Sequence, residues 1–538
     1  MIAAFAVLAA TIVIANAVSP LRSAAPIAYD TSAIVLQFDR IVTGRIMEVP
    51  ILTTPKPLLS VIYGPIWEIT HDWRPIVWSA VLALAVSAAL ATILVSRIAG
   101  LGAGVFAGVA IATSSMLMWE ALRGLATPWA VLGWMIAGLA ITAERPRYWL
   151  VGVALMLATM ARIETLILLA VATVALVVMR FGPARLRRPV PRAAWFVLIG
   201  FMALPVMLIH DWLLIRDPLY WAGVSGRYAA THPATSGFGG VVRVLRVLRV
   251  AVAPMIGMVA LGGIGVALMW RQRQWLLLIA ILSITAGVAA FLLMIGYLGY
   301  AVPVRYAAPA VVTLMLAAAL CYGGLRIGPL RGDPRRRSTT HGALGGDLAD
   351  PAPAADRPFP LLPGRVSGPL RTAAVVLGGI VAAVSLAGPI AGQGVVGGGE
   401  AGGRRTLADA ARANREIHEG ATLAIPALRA AAREADAAPR EPGAPPLIVV
   451  PGLLGPRMAL DLGLSLTEVE GVRANAPFEV ANGRPAPGQI VLYERVTDLQ
   501  GLRAALAVAT PTEVDGVVLD PLFVDSTTGT WVVRIRPR

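Results

Sequence analysis

One lysine stands in this chain, Lys56, and every other member of its 46 basic residues is an arginine. It lies in Thr53-Thr54-Pro55-Lys56-Pro57-Leu58, where prolines on both sides stiffen the backbone. A lysine kept against so strong an arginine bias is a candidate for a task that arginine does poorly. Its compact ammonium suits a phosphate oxygen in a tight space; the plain alternative is a chance survivor. Residues 1–322 also carry ten carboxylates: Asp30, Asp39, Glu48, Glu68, Asp72, Glu120, Glu144, Glu164, Asp211 and Asp217. Five fall within residues 20–74. Acidic groups beside a membrane are costly unless solvated or paired, so their gathering points to a polar cleft, or more simply to a wet loop.

The elements that must position these groups are apolar helices. Of the 538 residues, 57% are hydrophobic and 14% charged, and the mean hydropathy is +0.72. A soluble domain is about a quarter charged. The apolar runs approach the ~20 residues needed to cross hydrocarbon as a helix. Eleven candidate spans follow: 2–19, 75–96, 99–118, 125–143, 148–161, 163–180, 194–215, 250–270, 275–295, 299–322 and 372–392. The first resembles a signal-peptide core but lacks a basic start and a clean small-residue cleavage site, so it reads as a retained helix.

The net charge of +15 would suggest nucleic acid in a soluble protein. Here the arginines cluster in short loops between apolar runs, and those basic loops fall on one side, as the positive-inside tendency requires, with Arg243, Arg246 and Arg249 in an outer loop as the exception. That reads as orientation, with no nucleic-acid partner. The N-terminus is expected in the cytoplasm of a bacterial plasma membrane crossed many times. Outside lie a first loop (20–74), a second loop (216–249) and a C-terminal region (393–538). Residues 323–371 form a Pro/Gly/Arg-rich cytoplasmic linker before the last span, 372–392. The single cysteine, Cys321, excludes a disulfide or thiolate metal site. The C-terminal region reads as an extracytoplasmic α/β domain: a helix near 404–433, then strands at 447–450, 490–493, 517–519 and 531–533.

The order Asp30, Gly44, Lys56-Pro57-Leu58, Tyr63-Gly64 and Asp72-Trp73-Arg74 before the second span resembles the membrane glycosyltransferases of the GT-C superfamily. These include protein O-mannosyltransferases and the aminoarabinose transferase of lipid A. The resemblance continues in Arg216-Asp217-Pro218-Leu219-Tyr220 and in Arg305-Tyr306-Ala307-Ala308-Pro309, and so covers residues 1–322 in pattern. It implies a polytopic GT-C-like transmembrane catalytic domain and a sugar donor linked to polyprenyl phosphate. It also implies a hydroxyl acceptor on a glycan, lipid or protein. It maps the base onto Asp30 and the carrier-phosphate contact onto Lys56. Relatives often carry two adjacent acidic residues after the first span; Tyr29-Asp30-Thr31 has one.

The chemistry stands beside the family. A glycosidase needs two carboxylates because its leaving oxygen must be protonated. A phosphate leaves as an anion if cations stabilise it. One base then suffices, with Lys56 and an arginine such as Arg305 as the clamp, and a single displacement inverts the anomeric centre. Asp39 is a second candidate base, but nine helical positions turn it about 900° from Asp30, onto the opposite face.

Other residues read two ways. Arg162 and Glu164 either line the outer cleft or close a tight turn as a local pair. Asp72, Arg74, Asp217, Tyr220 and Tyr306 are further cleft candidates. The Arg243, Arg246 and Arg249 stripe reads as an interfacial amphipathic helix against lipid headgroups, or as a second hold on the carrier phosphate. No spacing marks a metal site or cofactor; His71-Asp72 would join a divalent cation only if the loop brought them to Asp30. A transporter or a non-catalytic envelope-assembly scaffold are the alternative functions. The first is disfavoured by span centres almost free of charge.

Overall fold

The computed structural model describes residues 1–20, 26–45, 55–182, 190–221, 223, 237–252, 256–271, 275–298, 304–326, 407–436, 447–451, 454–464, 468–472, 488–493, 511–514 and 517–538. The Arg-rich linker and the 372–392 span lie outside them.

Helices occupy the expected apolar runs: α1 (Ile2–Val18), α4 (Trp73–Ala99), α5 (Leu101–Thr113), α6 (Ser115–Leu122), α7 (Thr127–Ile141), α8 (Tyr148–Ala161) and α9 (Thr165–Phe181). Further helices cover Ala203–Ile215, Ile256–Arg271, Trp275–Tyr297 and Ala308–Arg326. With 27 residues, α4 extends about 40 Å at 1.5 Å per residue, enough for ~30 Å of hydrocarbon. Among the described residues, four helices are long and apolar enough to cross a membrane, or five if α5 and α6, bent by 52°, form one span. The count of eleven is therefore not established. Several of the expected spans, α1 and α7 to α9 among them, form apolar helices of 10–17 residues.

Small residues let the helices meet closely, as expected where apolar burial gives no preference for protein over lipid. A Cβ at Gly104 of α5 would stand 2.3 Å from the Thr92 carbonyl of α4, and one at Gly133 of α7 would stand 2.8 Å from the Ala154 carbonyl of α8. The bend between α5 and α6 falls at Ser114, whose backbone is extended and whose hydroxyl accepts from the Leu117 N–H.

Two short helices stand between α1 and α4: α2 (Tyr29–Val42) and α3 (Pro57–Thr70). Each has 14 residues, too few to span a bilayer. Pro57 opens α3 at a position where no backbone N–H is needed. Its end is the left-handed His71, and Asp72 then caps α4 by accepting from the Arg74 N–H at 2.9 Å.

The C-terminal domain is a long helix, Leu407–Asp436, a short helix, Gly455–Leu462, and a six-stranded sheet. The strands are β1 (Ile448–Pro451), β2 (Val469–Val472), β3 (Ile490–Tyr493), β4 (Thr512–Val514), β5 (Val517–Asp525) and β6 (Thr530–Pro537), in the order β2-β1-β3-β6-β5-β4. The first three are parallel and the rest antiparallel. Its core of Leu428, Ile448, Val450, Met458, Leu492 and Val532 also takes in Leu36 of α2, which is fully buried. Arg40, one turn on and 1% exposed, donates to the Leu464 carbonyl at 2.6 Å. Thus α2 serves both halves of the molecule.

Candidate functional site

Asp30 lies in the first turn of α2, where the helix dipole favours a negative charge. The turn is fixed from the membrane half. The Ala28 N–H donates to the Arg123 carbonyl at 3.1 Å, and the Thr31 hydroxyl donates to the Gly124 carbonyl at 2.9 Å. Two cations from distant segments converge on one carboxylate oxygen. Lys56 Nζ donates to Asp30 Oδ2 at 3.3 Å and Arg305 Nη2 to the same atom at 3.1 Å. Lys56 precedes α3, and Arg305 sits in the 3-10 turn Val304–Ala307 that leads into Ala308–Arg326. Lys56 is 5% exposed and Asp30 21%. Asp30 Oδ1 takes no partner among the described residues.

Around this pair stand Arg162, Glu164 and Tyr306. Arg162 binds Glu164 through two bonds, Nε to Oε2 at 3.1 Å and Nη2 to Oε1 at 2.6 Å, and both side chains are buried. Its guanidinium lies 5.1 Å from the centroid of the Tyr306 ring. The local-pair reading and the cleft-lining reading thus describe the same two residues. The pair closes the turn between α8 and α9, and Arg162 lies near enough to act electrostatically on Asp30.

Two neighbours were not singled out by the sequence: Arg123 carried no signal, and Glu120 was one carboxylate among ten. Arg123 follows α6, lies 5.1 Å over the Trp119 ring, and feels the charges of Glu120, Arg305 and Asp30. Glu120 is 5% exposed and accepts from the Thr127 hydroxyl at 2.9 Å. Among the described residues, then, four cations (Lys56, Arg123, Arg162, Arg305) meet three carboxylates (Asp30, Glu120, Glu164). The buried Nε atoms of Arg123 and Arg305 have no hydrogen-bond partner among the described residues. A buried surplus of positive charge with unused donors is the chemistry of an anion site.

The electrostatics of the pair agree. Burial pushes the Asp30 carboxyl up, but Lys56, Arg305 and Arg162 together outweigh it and hold the group below its ordinary value. Burial depresses Lys56, Arg305 and Arg162 add to that, and Asp30 opposes it. Asp30 is therefore an anion at neutral pH, and the charged form of Lys56, disfavoured by burial, gains from any further negative charge.

The remaining sequence candidates lie elsewhere. Asp39 pairs with Arg40 at 2.8 Å and with Arg45 at 3.6 Å, and shares no described contact with Asp30. Asp72 and Arg74 form an exposed pair at the start of α4. Asp217 is exposed and accepts from the Leu219 N–H at 3.0 Å; Tyr220 follows it in the same turn. The arginine stripe is helical, in Gly237–Val252, with Arg246 and Arg249 exposed. His71 and Asp72 cap helices, and no group of three or more His, Cys, Asp or Glu is gathered for a metal ion among the described residues.

The C-terminal domain docks beside this site through a second polar cluster. Arg457 binds the His418 ring Nδ1, the Thr422 hydroxyl at 2.6 Å and Asp461 at 3.2 Å. Asp461 in turn accepts from the Trp73 indole at 3.1 Å. Burial and the charges of Arg457 and Arg123 keep His418 neutral.

No protein-family model matches this chain, and no curated protein matches it in sequence. Solved structures do match. The crystal structure of ArnT from Cupriavidus metallidurans bound to undecaprenyl phosphate superposes with a TM-score of 0.54 at 12% identity, over 98% of this chain and 97% of that one. The apo structure of the same protein gives 0.53 at 13% identity over the same shares. The fold is that of ArnT.

Proposed function

We propose, on that fold and this cluster, that the chain is a membrane glycosyltransferase. It moves a sugar from a polyprenyl-phosphate carrier to a hydroxyl of a glycan, lipid or protein acceptor at the outer face, where the C-terminal domain also lies. The observation that carries the reading is the Asp30 carboxylate held on one oxygen by both Lys56 and Arg305. ArnT, bound to undecaprenyl phosphate, supports a lipid phosphate as the anion.

The steps follow from charge. The donor phosphate takes up Lys56 and Arg305, and its charge keeps Lys56 protonated in a setting that depresses it. Asp30, relieved of part of its pairing, becomes a better base. Its Oδ1, which has no described partner, accepts the acceptor's proton. The acceptor oxygen bonds to the anomeric carbon as the bond from that carbon to the phosphate oxygen breaks. The carrier leaves as polyprenyl phosphate, an anion needing no proton, and the anomeric centre inverts. An alcohol is far less acidic than any carboxylic acid, so the proton moves late, as the new bond acidifies it. Arg162, locked on Glu164, adds positive potential from the next row out without spending its donors on the phosphate.

Binding of undecaprenyl phosphate to the full chain in nanodiscs tests the phosphate seat. The wild type binds and K56M,R305M does not. Equal binding by both would place the phosphate elsewhere and sink the assignment.

A further inference from the structure

The helix Gly237–Val252 presents different chemistry around its circumference. Gly240 and Val244 are buried against the helix Trp275–Tyr297. A Cβ at Gly296 of that helix would stand 2.3 Å from the Val244 side chain and 3.0 Å from the Gly240 carbonyl. Leu248, one turn beyond Val244, packs on the same core. At about 100° per residue, Gly240, Val244 and Leu248 together span ~80° of arc. Phe238, Val242 and Leu245 share a separate sector and are 81%, 40% and 56% exposed. Arg246 and Arg249 are exposed as well, and neither has a partner among the described residues. The helix contains no acidic residue. With 16 residues it is about 24 Å long, short of ~30 Å of hydrocarbon.

Water would leave the Phe238, Val242 and Leu245 face uncovered, and hydrocarbon would strand two guanidiniums. The boundary between acyl chains and headgroups satisfies both. There the apolar side chains enter the lipid, and each arginine buries its stem while its head reaches a phosphate. Unpaired cations with no acid beside them complement a headgroup of net negative charge, by about fivefold for each arginine. The same helix contacts the turn Val304–Ala307, whose Arg305 binds Asp30. The helix it packs on reaches that turn too, with the Phe291 and Tyr306 ring centroids 6.2 Å apart. We propose that Gly237–Val252 lies in the membrane surface and takes anionic phospholipid through Arg246 and Arg249, and that this seating steadies the turn of Arg305. The lipid surface stands without the transferase reading; its bearing on the carrier phosphate rests on it.

The test uses the full chain in phosphatidylcholine nanodiscs, with a bimane fluorophore at position 245 (L245C,C321A). Its quenching is followed as phosphatidylglycerol or phosphatidylcholine bearing a nitroxide near the top of the acyl chain is added. Both lipids quench, and phosphatidylglycerol reaches half-quenching at a fraction about 30-fold lower, the product of two arginines. Adding R246Q,R249Q removes that preference and leaves quenching by phosphatidylcholine unchanged, so the helix is still folded and seated. Absence of quenching by either lipid, as when water, a second copy or a partner protein covers the face, overturns the membrane seat. Equal quenching by the two lipids overturns the anionic preference. Hydrogen exchange at residues 304–308 reads the coupling. In the wild type it is about threefold slower in phosphatidylglycerol discs than in phosphatidylcholine discs, and in R246Q,R249Q it is the same in both. Exchange that ignores the lipid in the wild type overturns the tie to Arg305. Neither readout needs sugar transfer, so an inactive chain removes the transferase reading and leaves the lipid surface decided.

Discussion

Asp30, at the start of α2, and His418, in the long helix of the C-terminal domain, stand in polar clusters built to opposite rules. Around His418, the Nε, Nη1 and Nη2 of Arg457 all find acceptors, and Asp461 receives both Arg457 and Trp73. The groups satisfy one another and need nothing further. Around Asp30, cations outnumber carboxylates among the described residues, the Nε atoms of Arg123 and Arg305 are unused, and one oxygen of Asp30 is open. Buried polar groups are otherwise partnered. Closure marks a joint between domains, and leftover valence marks a place for a ligand.

Four substitutions or conditions strain that contrast. The largest effect is expected at Asp30: D30N leaves the seat for the carrier phosphate but lowers transfer by about 10²–10⁴-fold, the usual worth of a general base. A single-turnover assay beside a carrier-binding assay separates the two, and unimpaired transfer would remove Asp30 from the mechanism. Next comes R162M, which strands a buried Glu164 at a cost of about 3–5 kcal/mol. The readout is a lowered Tm, and the double variant R162M,E164M should regain most of it. If the single variant melts like the wild type, the pair is less buried than the geometry shows. Third, K56M should weaken undecaprenyl phosphate binding about 10- to 100-fold, the ~1.5–3 kcal/mol of a charge-assisted bond. K56R should recover only part of it, because a planar fork does not replace a point charge.

The smallest effect concerns pH and belongs to the closed cluster. The folded state holds His418 well below its ordinary value of 6.5, so the unfolded chain binds the extra proton first. Stability is therefore full above that pH and declines as pH falls below it, by about 1.4 kcal/mol per unit until the folded-state value is reached. Thermal melts of H418Q against pH should lack that decline. Asp30 has the same sign in a lower window: its folded value is depressed, so its contribution is present at neutral pH and is lost only in acid below the ordinary carboxylate range.

Much of the membrane half was legible because apolar runs of helix length are a local signal. Asp30, Lys56 and Arg305 were also reachable. The lone lysine drew attention to itself, and the flanking motifs gave the other two, although Arg305 lies 275 residues from Asp30. Arg123 was not reachable: an arginine at the end of an apolar run looks like any loop charge, and only the bend at Ser114 and the turn after α6 place it at the site. His418 and Arg457 are 39 residues apart with no motif between them. In the sheet, β2 and β4 were missed because Val-Glu-Gly-Val and Thr-Glu-Val are too short and polar to show alternation. Their strand form comes from the partners they pair with, β1 and β5. The expected number of spans was less secure for a related reason. Helices that pack against one another at glycines need not be long enough to cross alone.

The double allegiance of α2 has an engineering consequence. Its first turn carries Asp30, and its middle supplies Leu36 to the other half's core and Arg40 to the Leu464 carbonyl. A chimera that exchanges everything after residue 406 for another protein's outer domain would leave an apolar plug and a buried guanidinium with no socket. Grafting has to move residues 29–42 together with the sheet that receives them, so the unit of inheritance here is split across the ends of the chain.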